Sequence, residues 1–203
     1  MRTIHLSGIV LLLGLFLPAC VPESMNPLSD PASATVDKRL LGVWIGKMAG
    51  EEADQYIHFV EAENSITEVV LVSHQEKREA GVAFYKMHPT TIGKARYMNV
   101  KPYVPENFKN SDLAEEIKSQ GYIFARYTIS GQGILNIRIL MDKKVREAVK
   151  KQQLKGKIVK GEGDVTITDT SAHIIKFLNA AHQDDIFESM FTFRKFEQDS
   201  VVD

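Results

Sequence analysis

Cys20 and the histidines downstream of it, His58, His74, His88, His173 and His182, are the side chains of this chain best suited to metal or nucleophilic chemistry. Their spacing argues against both. No two of these histidines stand one helical turn apart and no His-Glu-x-x-His pattern occurs, so zinc has no local scaffold. A serine nucleophile needs a strand-to-helix elbow, whereas Ser130-Gly131 opens a glycine turn between two strand-like runs. The carboxylate pairs Glu51-Glu52, Glu115-Glu116 and Asp184-Asp185 lie on polar stretches, where both acids stay solvated and ionised. Gly131-Gln132-Gly133 and Gly161-Glu162-Gly163 each lack the third glycine of a phosphate loop. The residues therefore read as those of a protein that is not an enzyme and takes no metal or cofactor. One run is strongly charged: Lys143, Lys144, Arg146, Lys150, Lys151, Lys155, Lys157 and Lys160 face the single acid Glu147. Beside an anionic surface each such cation contributes about 1 kcal/mol of attraction. The same run also suits a helix face that simply stays solvated.

The first nineteen residues are a processing signal. Arg2 supplies the charge, Ile9 to Leu17 form an apolar run broken by Gly14, and Ala19 sits before Cys20. The run falls short of the roughly 18 apolar residues that span a bilayer. Leu17-Pro18-Ala19-Cys20 resembles the lipobox of bacterial lipoproteins. The resemblance implies that the Cys20 thiol carries diacylglycerol, that the chain is cut before it, and that the new amine is acylated. The membrane is then a partner, because two or more acyl chains hold firmly at about 0.8 kcal/mol per buried methylene. Val21 is not the aspartate that the resemblance links to inner-membrane retention, which implies an outer-membrane location facing the periplasm. Cys20 is the sole cysteine, so the fold must stand on packing without disulfides. Loss of Arg2 with the leader takes the net charge from −1 to −2, which carries no signature of nucleic-acid binding.

These groups hang on a framework that is mostly strand. Residues 20–35 hold three prolines and no apolar period, and read as a flexible tether. The domain then runs over 36–197 and leaves a polar tail, 198–203. Strands are expected at 55–61, 66–73, 81–88, 94–101, 122–130, 134–141, 165–168 and 189–196, with breaks at 62–64, 74–79 and 89–93. Val69-Val70-Leu71-Val72 suits a strand covered on both faces. Gly131-Gln132-Gly133 marks the clearest hairpin. Short helices are expected at 111–117, at 142–154 capped by Asp142, and after Asp169 or Thr170 with Ile174, Phe177, Leu178 and Ala181 as its apolar stripe. Closure removes exposed edges, so the pattern points to a mainly β, antiparallel β-barrel with short helical insertions. The alternative is an open antiparallel sheet with helices on one face, an α+β fold.

Asp37-Lys38-Arg39-Leu40-Leu41-Gly42-Val43-Trp44 resembles the opening of lipocalins, in which a short turn precedes a Gly-x-Trp on the first barrel strand. The resemblance implies that Trp44 closes one end of the barrel and that a late-strand arginine, here Arg194, lies across its ring, while Lys195 points the other way. It also implies an interior that binds a small apolar or lipid ligand. Trp44, Ile57, Phe59, Val69, Leu71, Ile123, Ile137, Phe191 and Phe193 are the residues expected to line it. A filled barrel serving as a structural or adaptor lipoprotein, its loops or basic helix meeting an envelope protein or anionic polymer, is the other reading. Barrels of about eight strands are often just filled by their own side chains.

Overall fold

The computed structural model describes residues 21–51, 54–75, 78–106, 117, 119–158, 165–181 and 186–196. Its strands are β1 (Glu23–Ser24), β2 (Gly42–Met48), β3 (Asp54–Glu61), β4 (Thr67–Gln75), β5 (Arg78–Ile92), β6 (Ala95–Pro102), β7 (Tyr122–Ile129), β8 (Ile134–Leu140), β9 (Gly156–Ile158), β10 (Val165–Ile167) and β11 (Phe187–Lys195). Helices α1 (Asp142–Lys150) and α2 (Ser171–Ala180) lie in the second half. Strands β2 to β8 pair in order as an antiparallel meander, and β11 joins β8 to β2, closing an eight-stranded barrel. The architecture is that of a lipocalin-like barrel, and the open α+β sheet is excluded. The Gly131 hairpin forms as expected, with Gly133 at φ 72° and its amide donating to Ser130 O at 3.1 Å.

Two cores result. Inside the barrel, alternate residues of every strand converge around Trp44, Phe59, Leu135 and Phe193. Outside, the opposite faces of β6 and β7 present Tyr97 and Phe124 to a second core closed by Val145 of α1, Ile174 and Leu178 of α2, and Val165 and Ile167 of β10. The strands covered on both faces are thus β6 and β7. On β4, Val69 and Leu71 point inward while Val70 and Val72 stay half-exposed, because neither of the described helices packs over that side.

Three local expectations are revised. The break at 89–93 is absent: β5 continues through Pro89 to Ile92 and turns only at Gly93, whose φ is 61°. Past Met87 the β4 ladder has ended, so Pro89 occupies an edge, where a missing N–H is tolerated. Helix α1 ends at Lys150 because Gln152 turns left-handed at φ 58°, which folds Leu154 back into the outer core. Asp142 is its first residue rather than its cap, and pairs instead with Arg146 at 2.9 Å. Thr170 does cap α2, accepting from the His173 amide. The helix expected at 111–117 falls almost wholly outside the described residues.

The largest revision concerns residues 21–35, which are a strap and not a loose tether. Glu23 and Ser24 form β1, antiparallel to the start of β7 and parallel to β10, with Ser24 fully buried. Leu28 enters the outer core at 1% exposure, and its amide donates to Asn99 Oδ1 at 2.6 Å. Asn99, buried on β6, also donates to His88 O at 3.1 Å and Thr90 Oγ1 at 2.8 Å. Ser29 meets Thr90, and His88 Nε2 donates to Ser29 O at 3.0 Å. One apolar side chain and a row of hydrogen bonds from the barrel wall thus offset the ordering of a proline-rich stretch.

His88 makes this strap sensitive to pH. Burial disfavours its charged form and outweighs the Ser29 carbonyl and nearby Asp30, so its pKa lies below the ordinary histidine value of 6.5. The unfolded chain then binds the proton first, and the stability contributed by neutral His88 is complete above pH 6.5 and drains away as pH falls toward the folded pKa. We expect the urea midpoint to fall between pH 7.5 and pH 5.0 and the fall to be smaller in His88→Gln. An equal fall in the two proteins would assign the effect to other groups. Asp37 and Asp169 do not interfere, since their pKa values lie below 3.8 and their contributions are lost only at more acid pH.

Candidate functional site

One end of the barrel is shut. The turn after Asp37 drops Leu40 into the opening at 1% exposure, and Trp44 Nε1 donates to Leu40 O at 2.6 Å. Asp37 ties the turn to the wall, accepting from Tyr127 Oη at 2.9 Å, from Arg96 at 3.0 Å and from Arg39. Burial pulls the Asp37 carboxyl upward in pKa, but the hydrogen bonds from Arg39 and Tyr127 outweigh it and hold the group below its ordinary value. Burial, with the Asp37 charge beside it, raises the Tyr127 phenol. Trp44 is buried at the closed end as expected.

The cation over its ring is Lys195 and not Arg194. Lys195 stands opposite Trp44 in the β11–β2 ladder, with its Nζ 5.5 Å from the ring centre. Arg194 stands opposite Ile45 and is exposed on the outer face. Period two decides this: Lys195 shares the inner-face parity of Phe193 and lies, exposed, at the barrel's end over Trp44, whereas Arg194 is on the outer face.

Beyond the Trp44 end lies an apolar cavity of about 90 Å³. Ile57 and Phe59 of β3 and Val69 and Leu71 of β4 line one side. Ile123, Ile137, Phe191 and Phe193 line the other. Of the residues expected inside, Trp44 alone does not line the cavity, because it is packed below it against Leu40. Every barrel strand except β2 contributes to the wall. Three of the lining residues not anticipated are methionines, Met87, Met98 and Met190, whose unbranched side chains repack at low cost. The fourth of note is Tyr85, the one hydroxyl in the wall, whose pKa burial pushes up to about 12. Met98 and Tyr97 are both buried, on opposite faces, so β6 has no polar side in sequence to mark which face is the interior.

The basic segment is elsewhere. Helix α1 packs through Val145 and Ala148 into the outer core, leaving Lys143, Lys150, Lys151 and Lys155 exposed and Lys144 and Arg146 half-buried. Arg146 is engaged with Asp142. Two further histidines have settled surroundings: His58 faces solvent on β3, and His173 Nδ1 donates to Asp169 at 2.5 Å. Asp169, buried at 3% exposure, also accepts the Lys155 and Thr170 amides, so it locks β9 to the start of α2. Among the described residues no group of three His, Cys, Asp or Glu side chains stands together as a metal site. Cys20 and His182 lie outside the described residues. No protein-family model, no curated protein and no solved structure matches this chain.

Proposed function

We propose that this is an exported, non-catalytic lipoprotein, held in the envelope by acyl chains on Cys20, whose barrel takes up the end of a small apolar or lipid ligand. The observation that supports the reading is the cavity: seven strands turn apolar side chains onto one void instead of filling it. At about 90 Å³ the void is smaller than the pockets that enclose drug-sized ligands, roughly 300 to 1,000 Å³. A ligand therefore enters by its narrow apolar end, displacing the flexible methionines. Native mass spectrometry of the chain from Val21, prepared without detergent, tests the reading, with bound lipid expected in the wild type. Ala125→Leu, which places a larger side chain into the cavity wall, should abolish binding while costing about 1 to 3 kcal/mol of stability. An empty wild-type barrel, neither carrying lipid nor binding added lipid, would sink the proposal.

The anchor has its own test. Cys20→Ser should stop incorporation of labelled palmitate and release the protein from membranes; label retained by the variant would overturn it. With Cys20 acylated, Val21 and Pro22 alone separate the lipid from β1, so the barrel sits against the bilayer instead of on a long leash. The exposed Lys143, Lys150, Lys151 and Lys155 support a second reading, an adaptor whose basic side meets an anionic polymer or headgroup.

A further inference from the structure

Directly beyond the cavity the barrel carries a polar rung. Gln55 is the next inward residue after Ile57 on β3, and Ser73 the next after Leu71 on β4. The two stand opposite each other, with Gly46 opposite Gln55 on β2 and Gly81 opposite Ser73 on β5. Both polar residues are buried, Gln55 at 2% and Ser73 at 4% exposure. Among the described residues Gln55 Oε1 has no hydrogen-bond partner. Native folds leave few buried polar atoms unpaired, and a primary amide on the inner wall of an apolar barrel is not explained by packing, since methionine or leucine fills similar space without an orphaned oxygen.

We propose that Gln55 is the residue that reads the ligand's polar end, and that the ligand is a single-chain amphiphile with an uncharged hydroxyl head. The inference rests on the reading that the interior takes a ligand. The chain end occupies the cavity, and the head lies one rung away and donates its O–H to Gln55 Oε1, with Ser73 beside it. The charge state of the head follows from its surroundings. Among the described residues the cavity wall holds no charged side chain and Tyr85 is its one polar group, while the neighbouring Gln55–Ser73 rung is uncharged, so a buried carboxylate would lack a counter-ion there and would meet the amide oxygen with like polarity. A hydroxyl brings the one donor that Oε1 lacks.

Two isomers make the test sharp: 1-octanol and methyl heptyl ether have the same atoms and similar length, but only the alcohol donates. Their dissociation constants for the chain from Val21 are read at pH 7.5 from NMR titrations of backbone amides, with octanoate as the charged control. The alcohol should bind roughly 10-fold more tightly than the ether, and octanoate more weakly than the alcohol. In Gln55→Met the alcohol's advantage should vanish, while the urea midpoint stays level or rises because the orphaned oxygen is gone. Equal binding of alcohol and ether by the wild type overturns the role of Gln55 and leaves the ligand-binding reading standing. Failure of all three probes to bind removes both. A Gln55→Met protein that is less stable yet still prefers the alcohol makes the amide structural, which also overturns the proposal. The wild-type comparison decides even if the variant does not fold.

Discussion

Truncating Trp44 to alanine should lower the unfolding free energy by about 3 to 5 kcal/mol, the usual cost of deleting a large buried aromatic. That is a large part of the 5 to 15 kcal/mol or so that holds a domain together. The indole is at 1% exposure, it fills the floor of the barrel above Leu40, and its Nε1–H donates at 2.6 Å to the Leu40 carbonyl. Alanine therefore opens a void and leaves that carbonyl short of a partner at once. Trp44→Phe keeps most of the packing and should cost less than alanine. Lys195→Ala should cost about 0.5 to 1 kcal/mol, since an exposed cation over a ring contributes no more. Arg194→Ala, an outer-face change, should lie within about 0.5 kcal/mol of wild type. Equilibrium urea unfolding followed by Trp44 fluorescence, or by circular dichroism in the tryptophan variants, measures the series. Free quenching of Trp44 by iodide, or an alanine variant losing under about 1 kcal/mol, would contradict the closed end described here.

The second large effect concerns the strap. A chain that begins at Val36 should be destabilised by about 4 kcal/mol or more relative to one that begins at Val21, and should aggregate. Burying Leu28 alone contributes about 1.5 to 3 kcal/mol. Removing the strap also breaks its hydrogen bonds to Asn99 Oδ1 and His88 Nε2, each contributing about 0.5 to 1.5 kcal/mol. It further strips β1 from between β7 and β10, leaving two strand edges open to other chains. A tether would give the opposite result, equal urea midpoints for the two chains. Asn99→Ala in the full strap is the finer probe: it removes the acceptor for the Leu28 amide and both donors to β5, and should reproduce part of the loss without shortening the chain.

Much of the barrel was legible because its signals are local. Alternation along 55–61 and 189–196, and the glycine turn at 131–133, each depend on residues within a few positions of one another, and each strand formed where expected. Ile57, Phe59, Val69 and Leu71 could be assigned to the interior because their neighbours at odd spacing include polar residues such as His58 and Glu68. The lysine over Trp44 was also present in that alternation, since Lys195 shares parity with Phe193. The resemblance to lipocalins named Arg194 instead, and a one-residue difference on a strand reverses the face.

The rest required the closed structure. Proline-rich composition in 21–35 correctly reports a stretch that cannot pack on itself, yet says nothing of a barrel wall that supplies the packing and the hydrogen-bond partners, and those partners lie 59 to 71 positions away in sequence. Pro89 within β5 contradicts a strand until the end of the β4 ladder makes the position an edge. Met98 and Tyr97 are both buried, and only the placement of α1, α2 and the strap over one face of β6 tells which of them meets the cavity. The sequence by itself determined strand identity and the hairpin, because these depend on near neighbours. Closure, the strap and the orphaned Gln55 oxygen above an apolar void were decided by tertiary structure, because each depends on which distant residues come to share a face.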